Sequence, residues 1–392
     1  MTGYQGWFNA DSDGAGKKWS HYSRSGRFEP GQCSIDFWPD MTEYDHTYET
    51  LFKFADGSPA YVFSSYDVST VNLHFKWMAD YGIDGAFMQR FIHKLKDQKV
   101  VNHYDVVFDS AIRAATKYKR AISIRYDLTG MKKGDSRVLL EDLDKLNTRY
   151  DFFERGDFPT LLHHAGKPLV AIGGVGFSDD IAGDDVGYLG EAETLISELR
   201  KRGYCIMMRV PAQWREFRGS LTLQAPKQQA RFHKICQSVD IIMPWHVGAY
   251  REKTYIGGKW QKRIAADMAW CEARGLEYVP VIFPGFSRAN LKHGEDGSFR
   301  PRNRGSFFWL QASSAIKARV KMLFVAQFDE MDEGTQIFKC SHRVPVGGSP
   351  FIAYEEGIET DHYLWLTGKV GDLLRGEMGF TTALPKRLTE NE

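Results

Sequence analysis

Cysteine is scarce in this chain. Its five residues, Cys33, Cys205, Cys236, Cys271 and Cys340, are scattered, odd in number and free of C-x-x-C pairs. That excludes a disulfide framework and a zinc ribbon. Long hydrophobic runs are absent too: no stretch approaches the ~20 apolar residues that a membrane span requires. There is no H-x-H or H-E-x-x-H, which argues against a metallohydrolase. Neither a G-x-S-x-G elbow nor a phosphate-cradling G-x-x-x-x-G-K-[ST] loop occurs. Net charge is nearly nil, with 51 basic against 50 acidic residues, so there is no electrostatic footprint for nucleic acid or an anionic membrane. No internal repeat, low-complexity tract or linker divides the sequence.

Aromatic residues, in contrast, are plentiful: 26 Phe, 18 Tyr and 10 Trp among 392 residues. A surplus of Trp and Tyr suits a cleft that stacks on sugars or flat ligands. With 43% hydrophobic residues, the chain has enough apolar material for two average domains or one elaborated barrel. The first predicted strand opens at about Gly3, so no signal peptide is expected. Localisation stays open between the cytoplasm and, for a chain whose leader has been trimmed, the periplasm or the exterior.

Apolar, β-rich runs alternate with amphipathic stretches along the whole chain. Strands are predicted at 3–9, 82–91, 121–127, 168–174, 205–210, 239–246, 277–286 and 321–328. Helices are predicted at 69–81, 104–119, 191–203, 226–238, 260–275, 306–320 and 362–376. Gly82, Gly203 and Gly275 fall where helices end. Eight strands alternating with helices imply parallel β/α units and an α/β fold, a single (β/α)8 TIM barrel over residues 1–392. A dinucleotide-binding sheet is disfavoured, because "GGVGFSDD" (173–180) follows the fourth strand and lacks the required glycine spacing. About sixty residues separate the first two strands. This long insertion is expected to lie over the barrel mouth.

Working groups of such barrels sit at the carboxyl ends of the strands. Here those ends carry Gln5 and Trp7; Gln89 and Arg90; Arg125 and Asp127; Arg209 and Trp214; Trp245, His246 and Tyr250; Phe286 and Arg288. Asp36 and Trp38 of the insertion, within "SIDFWPDMTEYD" (34–45), are further candidates, weighed against an ordinary surface loop. Any one of these reads equally well as a satisfied rim residue. Together they suit a polyhydroxylated ligand, with aromatics on apolar sugar faces and Arg, Gln and His on hydroxyls. His163 and His164 precede the fourth strand, the wrong end for chemistry.

The last strand ends in "QFDEMDEGTQIF" (327–338), with Asp329, Glu330, Asp332 and Glu333 in five positions. Glycosidic cleavage needs a proton donor and a second carboxylate as base, nucleophile or stabiliser. Glu330 and Glu333, three apart, cannot share a face of a straight strand. In a helical turn they can, ~5–6 Å apart at Cβ, and Gly334 releases the backbone. Close carboxylates raise one another's pKa, which keeps one of them protonated near neutrality. Arg288 is then positioned by sequence to hold Glu330 ionised. "DEMDE" lacks the alternating ligands of a calcium loop, and no metal or cofactor is expected.

"QFDEMDEGTQI" resembles the last-strand motif of the glycoside hydrolase family 99 barrel, Trp-Asn-Glu-Trp-x-Glu-Gly-Thr-x-Ile, within the broader family-71/99-like group that includes bacterial putative xylosidases and arabinosidases. "PVIFPGFSR" (280–288) is similar to the family's preceding strand and "GYQGWF" to its aromatic first strand. The resemblance implies a retaining hydrolase of α-linked glycans. Glu330 would act as base on the sugar 2-hydroxyl and Glu333 as acid/base through a 1,2-anhydro intermediate. It implies an oligosaccharide or polysaccharide substrate. Phe328, Asp329, Met331 and Asp332 depart from the family pattern and leave the sugar open. Three rival readings stand beside it: a carbohydrate-binding barrel without turnover, an exo-acting xylosidase or arabinosidase, and a metal-dependent barrel hydrolase.

Overall fold

The computed structural model describes residues 1–176, 186–218, 225–250, 252–256, 258–292 and 299–387. In chain order, β1 (Thr2–Tyr4) is followed by a hairpin of β2 (Tyr48–Lys53) and β3 (Pro59–Val62). Then come α1 (Val68–Asp80), β4 (Gly85–Phe91), α2 (Gln98–Tyr118), β5 (Ala121–Asp127) and α3 (Asp135–Tyr150). A two-residue β6 (His163–His164) precedes β7 (Lys167–Gly173), α4 (Val186–Lys201), β8 (Cys205–Pro211), α5 (Pro226–Cys236) and β9 (Ile241–Trp245). The last part comprises α6 (Glu252–Ile256), α7 (Lys259–Glu272), β10 (Glu277–Tyr278), β11 (Val281–Ile282), α8 (Ser306–Lys317), β12 (Phe324–Val325) and α9 (His362–Arg375).

The main sheet runs β10-β9-β8-β7-β5-β4-β1-β12-β11, each neighbouring pair parallel. β10 and β11 are two halves of one stave, split at Val279 and Pro280. A proline has no N–H for a ladder, yet its carbonyl still accepts from Phe324 at 3.1 Å, while Val279 N–H reaches the Ile242 carbonyl at 2.9 Å. The stave therefore bonds to β9 through its first half and to β12 through its second. The ring closes, giving the (β/α)8 barrel that the strand–helix alternation predicts.

The staves are buried on both faces, which is why they read as near-continuous Val, Ile, Met and Phe runs. Close packing demands glycine at one point. Gly85 opens β4 at φ +153°, and a Cβ there would lie 1.8 Å from the Ala121 carbonyl oxygen.

Three differences from the sequence expectation concern the site. β1 is three residues long because Gly6 turns the chain at φ +60°. The eighth stave is regular strand only over Phe324–Val325; Ala326 and Phe328 still donate to the Ile282 and Gly3 carbonyls, and "DEMDEGT" curls over the rim beyond them. α3, which the sequence reading did not delineate, buries Leu139, Leu143 and Leu146, and its Asp142 accepts from Tyr126 of β5. The predicted strand 168–174 and the observed β7 agree, but "FSDD" of the loop after it lies outside the described residues.

The insertion after β1 forms an aromatic annex. Tyr22, Phe28, Trp38 and Phe52 pack ring on ring, with Phe28 and Trp38 stacked at 5.7 Å. Among the described residues, no helix is long and apolar enough to cross a membrane.

Candidate active site

The rim is built where backbone ladders stop. Past Tyr4, the amides of Gln5 and Gly6 donate to the two carboxylate oxygens of Asp329, at 2.7 and 2.8 Å. Asp329 thus ties the ends of the first and eighth staves together after their strand pairing has ended. Burial pushes its carboxyl up against those two backbone bonds, to about 7. Behind it the chain makes a turn, with Gly334 N–H on the Met331 carbonyl and Thr335 N–H on that of Glu330. Gly334 takes φ +61°, and a Cβ there would press on the Ser287 backbone at 3.0 Å.

This turn brings Glu330, Asp332 and Glu333 to one cavity of about 380 Å³ at the carboxyl ends of the staves. Its volume is within the usual range for a small-molecule site. Glu330 is buried and accepts a hydrogen bond from the Gln5 side-chain amide. Burial, and then the charges of Asp332 and Glu333, push it well above the carboxylate range. Burial pushes Asp332 up as well, but hydrogen bonds from Glu330 and from His21 outweigh that and leave it lowered. His21 Nδ1 lies 2.9 Å from Asp332 Oδ2. The two acids therefore share one proton, held chiefly on Glu330, and titrate as a pair. Glu333 is partly open to the cavity. Burial and Asp332 raise it to about 7, against the pull of Arg288, Arg209 and Lys292.

The opposite wall comes from the other staves. Trp7 stacks on His21 at 3.8 Å and on Phe91 at 5.6 Å. Gln89 points inward from β4 and accepts from Arg125 Nε. Arg209 reaches Asp127 at 2.6 Å, and Gly173 leaves the space for it, since a Cβ there would lie 2.6 Å from Arg209 Nε. Arg125 and Arg209 both approach the ring of Trp245, at 5.6 and 5.0 Å.

Of the residues singled out from sequence, Gln5, Trp7, Gln89, Arg125, Asp127, Arg209, Trp245, Glu330 and Glu333 line this cavity. Others are brought elsewhere. Arg90 alternates to the outer face of β4, where it meets Asp142 at 2.6 Å and Asp105 at 2.8 Å under the helices. His246 is buried against Trp260 with Nδ1 at the Val281 carbonyl. Tyr250 donates to the Ala212 carbonyl. Trp38 belongs to the annex and donates to the Tyr61 carbonyl. Asp36 holds the loop after β11, accepting from Ser287 Oγ and, at 2.8 Å each, from the amides of Ala289 and Asn290. Arg288 lies over Phe286, and its charge pulls Glu333 down.

The cavity also holds residues not singled out: Phe91, Thr129, Leu291, Gln327 and Asp332, with His21 behind Trp7. Period-2 alternation on β4 signals Phe91 once Gln89 is inward. Nothing in the sequence around His21 signals its pairing with Asp332. A larger cavity of about 430 Å³ opens at the amino-terminal end, lined by Phe87, Met207, Ile241 and Leu374. It lacks paired carboxylates and lies at the end where barrels keep stability rather than chemistry. Among the described residues, no cluster of three or more His, Cys, Asp or Glu side chains is arranged to hold a metal ion.

No protein-family model matches the chain. Over 104 residues it is 28% identical to a glycoprotein endo-alpha-1,2-mannosidase-like protein of Danio rerio, a stretch covering 26% of this chain and 23% of that protein. It is 27% identical over 71 residues to a glycoprotein endo-alpha-1,2-mannosidase of Mus musculus, covering 18% and 15%. The chain thus matches less than a quarter of the length of these curated relatives. A solved GH99 endo-alpha-mannosidase of Bacteroides thetaiotaomicron superposes with a TM-score of 0.64 at 14% identity, covering 96% of this chain and 97% of that one. A solved glycoside hydrolase-like protein gives 0.53 at 14% identity, covering 86% and 94%. Fold and rim define a (β/α)8 barrel with its acids at the carboxyl mouth. Within that class its fold is like that of the solved GH99 endo-alpha-mannosidase.

Proposed function

We propose that the chain is a glycoside hydrolase acting on an α-linked glycan in this cleft. The observation that carries the reading is the meeting of Glu330 and Glu333 in one cavity rimmed by Trp7, Trp245, Arg125 and Arg209. Likeness in fold to GH99 endo-alpha-mannosidases supports it. A carboxyl balanced near neutrality suits a group that must give and then take a proton, and Glu333 at about 7 fits that task.

In the first step Glu330 takes the proton of the sugar 2-hydroxyl, whose oxygen bonds to the anomeric carbon. The bond to the leaving oxygen breaks, and that oxygen takes the proton of Glu333. In the second step Glu333 takes a proton from water as the water oxygen bonds to the anomeric carbon. The strained ring opens and the 2-oxygen recovers its proton from Glu330. Two inversions give net retention. Glu330 has to enter ionised, and its hydrogen bond to Asp332, itself joined to half-buried His21, offers its proton a way out.

The test is turnover of a panel of α- and β-linked oligosaccharides and aryl glycosides by wild type, Glu330→Gln and Glu333→Gln. The expected result is hydrolysis of an α-linked member, with kcat reduced about 100-fold or more in both variants. Undiminished turnover in either variant, or saturable binding without turnover in all three proteins, would overturn the reading. The second outcome would make the cleft a carbohydrate-binding site.

A further inference from the structure

Arg125 is a cleft residue to which the hydrolytic steps give no task. Its side chain leaves β5 toward the barrel axis and is 2% exposed. The guanidinium lies between Trp245 and Phe324, 5.6 and 5.4 Å from the ring centroids. Nε donates to the neutral oxygen of Gln89. Nη1 is buried without a hydrogen-bond partner. Among the described residues, no carboxylate forms an ion pair with Arg125, although Arg90 on β4 and Arg209 on β8 are both paired with aspartates.

The nearby acids are otherwise engaged. Asp127 is held by Arg209, Asp332 by His21, and Asp329 by two backbone amides. Glu330 accepts from Gln5, and Glu333 faces the charges of Arg288, Arg209 and Lys292. A buried cation without a carboxylate is costly unless something else completes it. Here the open side of the guanidinium faces the cavity, and a second guanidinium lies over the same Trp245 ring. Burial and the adjacent Arg209 bring Arg125 down to about 9, against the pull of Asp127, Glu330 and Asp329, and it is still charged at neutral pH.

We propose that Arg125, flanked by Arg209, is an anion subsite of the cleft, and that the glycan it takes carries an acidic substituent beside the bond addressed by Glu330 and Glu333. A planar guanidinium matches a carboxylate or a sulfate or phosphate ester with paired donors. Trp245 offers the sugar ring an apolar face next to that charge. The inference rests on the hydrolytic reading for the ligand's being a glycan, and adds its chemical class.

The test is calorimetric binding of α-linked di- to tetrasaccharides carrying one uronate, one sulfate or one phosphate, each paired with its neutral parent. Wild type, Arg125→Gln and Arg125→Lys are compared, with thermal melts to check folding. Wild type is expected to bind at least one acidic member about tenfold or more tighter than its parent, with the preference weakening as salt rises. Arg125→Gln should lose the preference and Arg125→Lys keep part of it. The uronate and ester arms identify the anion. Equal affinity for acidic and neutral partners, or no binding of any acidic member, overturns the proposal. Should Arg125→Gln fail to fold, the wild-type preference and its salt dependence decide alone. Turnover is read separately: neutral glycans cleaved without acidic preference would remove this inference and leave the hydrolase reading. Acidic glycans bound selectively but never cleaved would do the reverse.

Discussion

At the scale of residues, the account turns on how four neighbouring acids are kept different. Asp329 is a clasp between stave ends, Asp332 is the ionised partner of His21, Glu330 holds the proton they share, and Glu333 is poised near neutrality. Three consequences can be measured. A general acid must be protonated, so kcat/KM should fall on the alkaline side with an apparent pKa near 7, set by Glu333 at about 7. A flat profile through pH 7 would count against that role. Asp332→Asn removes a charge that raises Glu330, so Glu330 should ionise more readily and the acidic limb move to lower pH. An acidic limb that stays in position would separate Asp332 from the base. Stability is linked in the opposite sense to the usual carboxylate. Glu333 is raised when folded, so the folded state holds a proton that the unfolded chain gives up. Its contribution therefore favours folding less as pH rises from the ordinary carboxylate range toward 7. Glu333→Gln should gain in Tm relative to wild type over that interval. A constant difference in Tm would contradict the raised carboxyl.

At the scale of elements, strand alternation decides what a rim residue does. Gln89 and Arg90 are adjacent in sequence and both polar, yet one enters the cleft and the other the helix layer. Arg90 is clamped by Asp142 and Asp105 and also lies over Tyr104 at 5.2 Å. Arg90→Ala strands a buried Asp142 and is expected to destabilise the fold by about 3–5 kcal/mol, with KM for a cleft ligand little changed. Denaturant unfolding and steady-state kinetics together check this. A raised KM with unchanged stability would put Arg90 back in the cleft. The same alternation turns His246 outward next to inward Trp245, while Tyr250 lies past the end of β9 and donates to the Ala212 carbonyl. Asp36 and Trp38 fall outside the cavity for another reason. Their functional alternative was an insertion folded over the sugar, whereas the insertion has a core of its own and Asp36 serves the loop after β11.

At the scale of the whole molecule, most of the barrel is legible because its staves are long apolar runs set off by amphipathic helices. α1 and α9 fall within a residue of their predicted spans, whereas α2 begins at Gln98, ahead of the predicted 104. α3 was missed because "DSRVLLEDLDKLNTRY" is strongly polar and its apolar stripe is narrow, with Leu139, Leu143 and Leu146 at helical spacing. The seventh stave is split at Val279 and Pro280, and the eighth keeps regular strand geometry only over Phe324–Val325. In the candidate site, the acidic run was visible as a motif, and nine of the residues singled out do line one cavity. The pairing of His21 with Asp332 was not visible, because it joins positions 311 residues apart. Gly85 belongs to the same scale. Its missing side chain lets β4 and β5 meet, so Gly85→Ala should lower Tm sharply and cost activity only in proportion to the folded fraction.

The measurement that tests the central claim most directly is proton NMR of an α-linked oligosaccharide incubated with wild-type protein, following the anomeric signals from the first minutes. The account predicts a new reducing end that appears first as the α anomer and then mutarotates, and no such signal with Glu333→Gln. A β anomer appearing first would contradict the two-step route through Glu330. No new reducing end from any α-linked member would contradict the hydrolase itself.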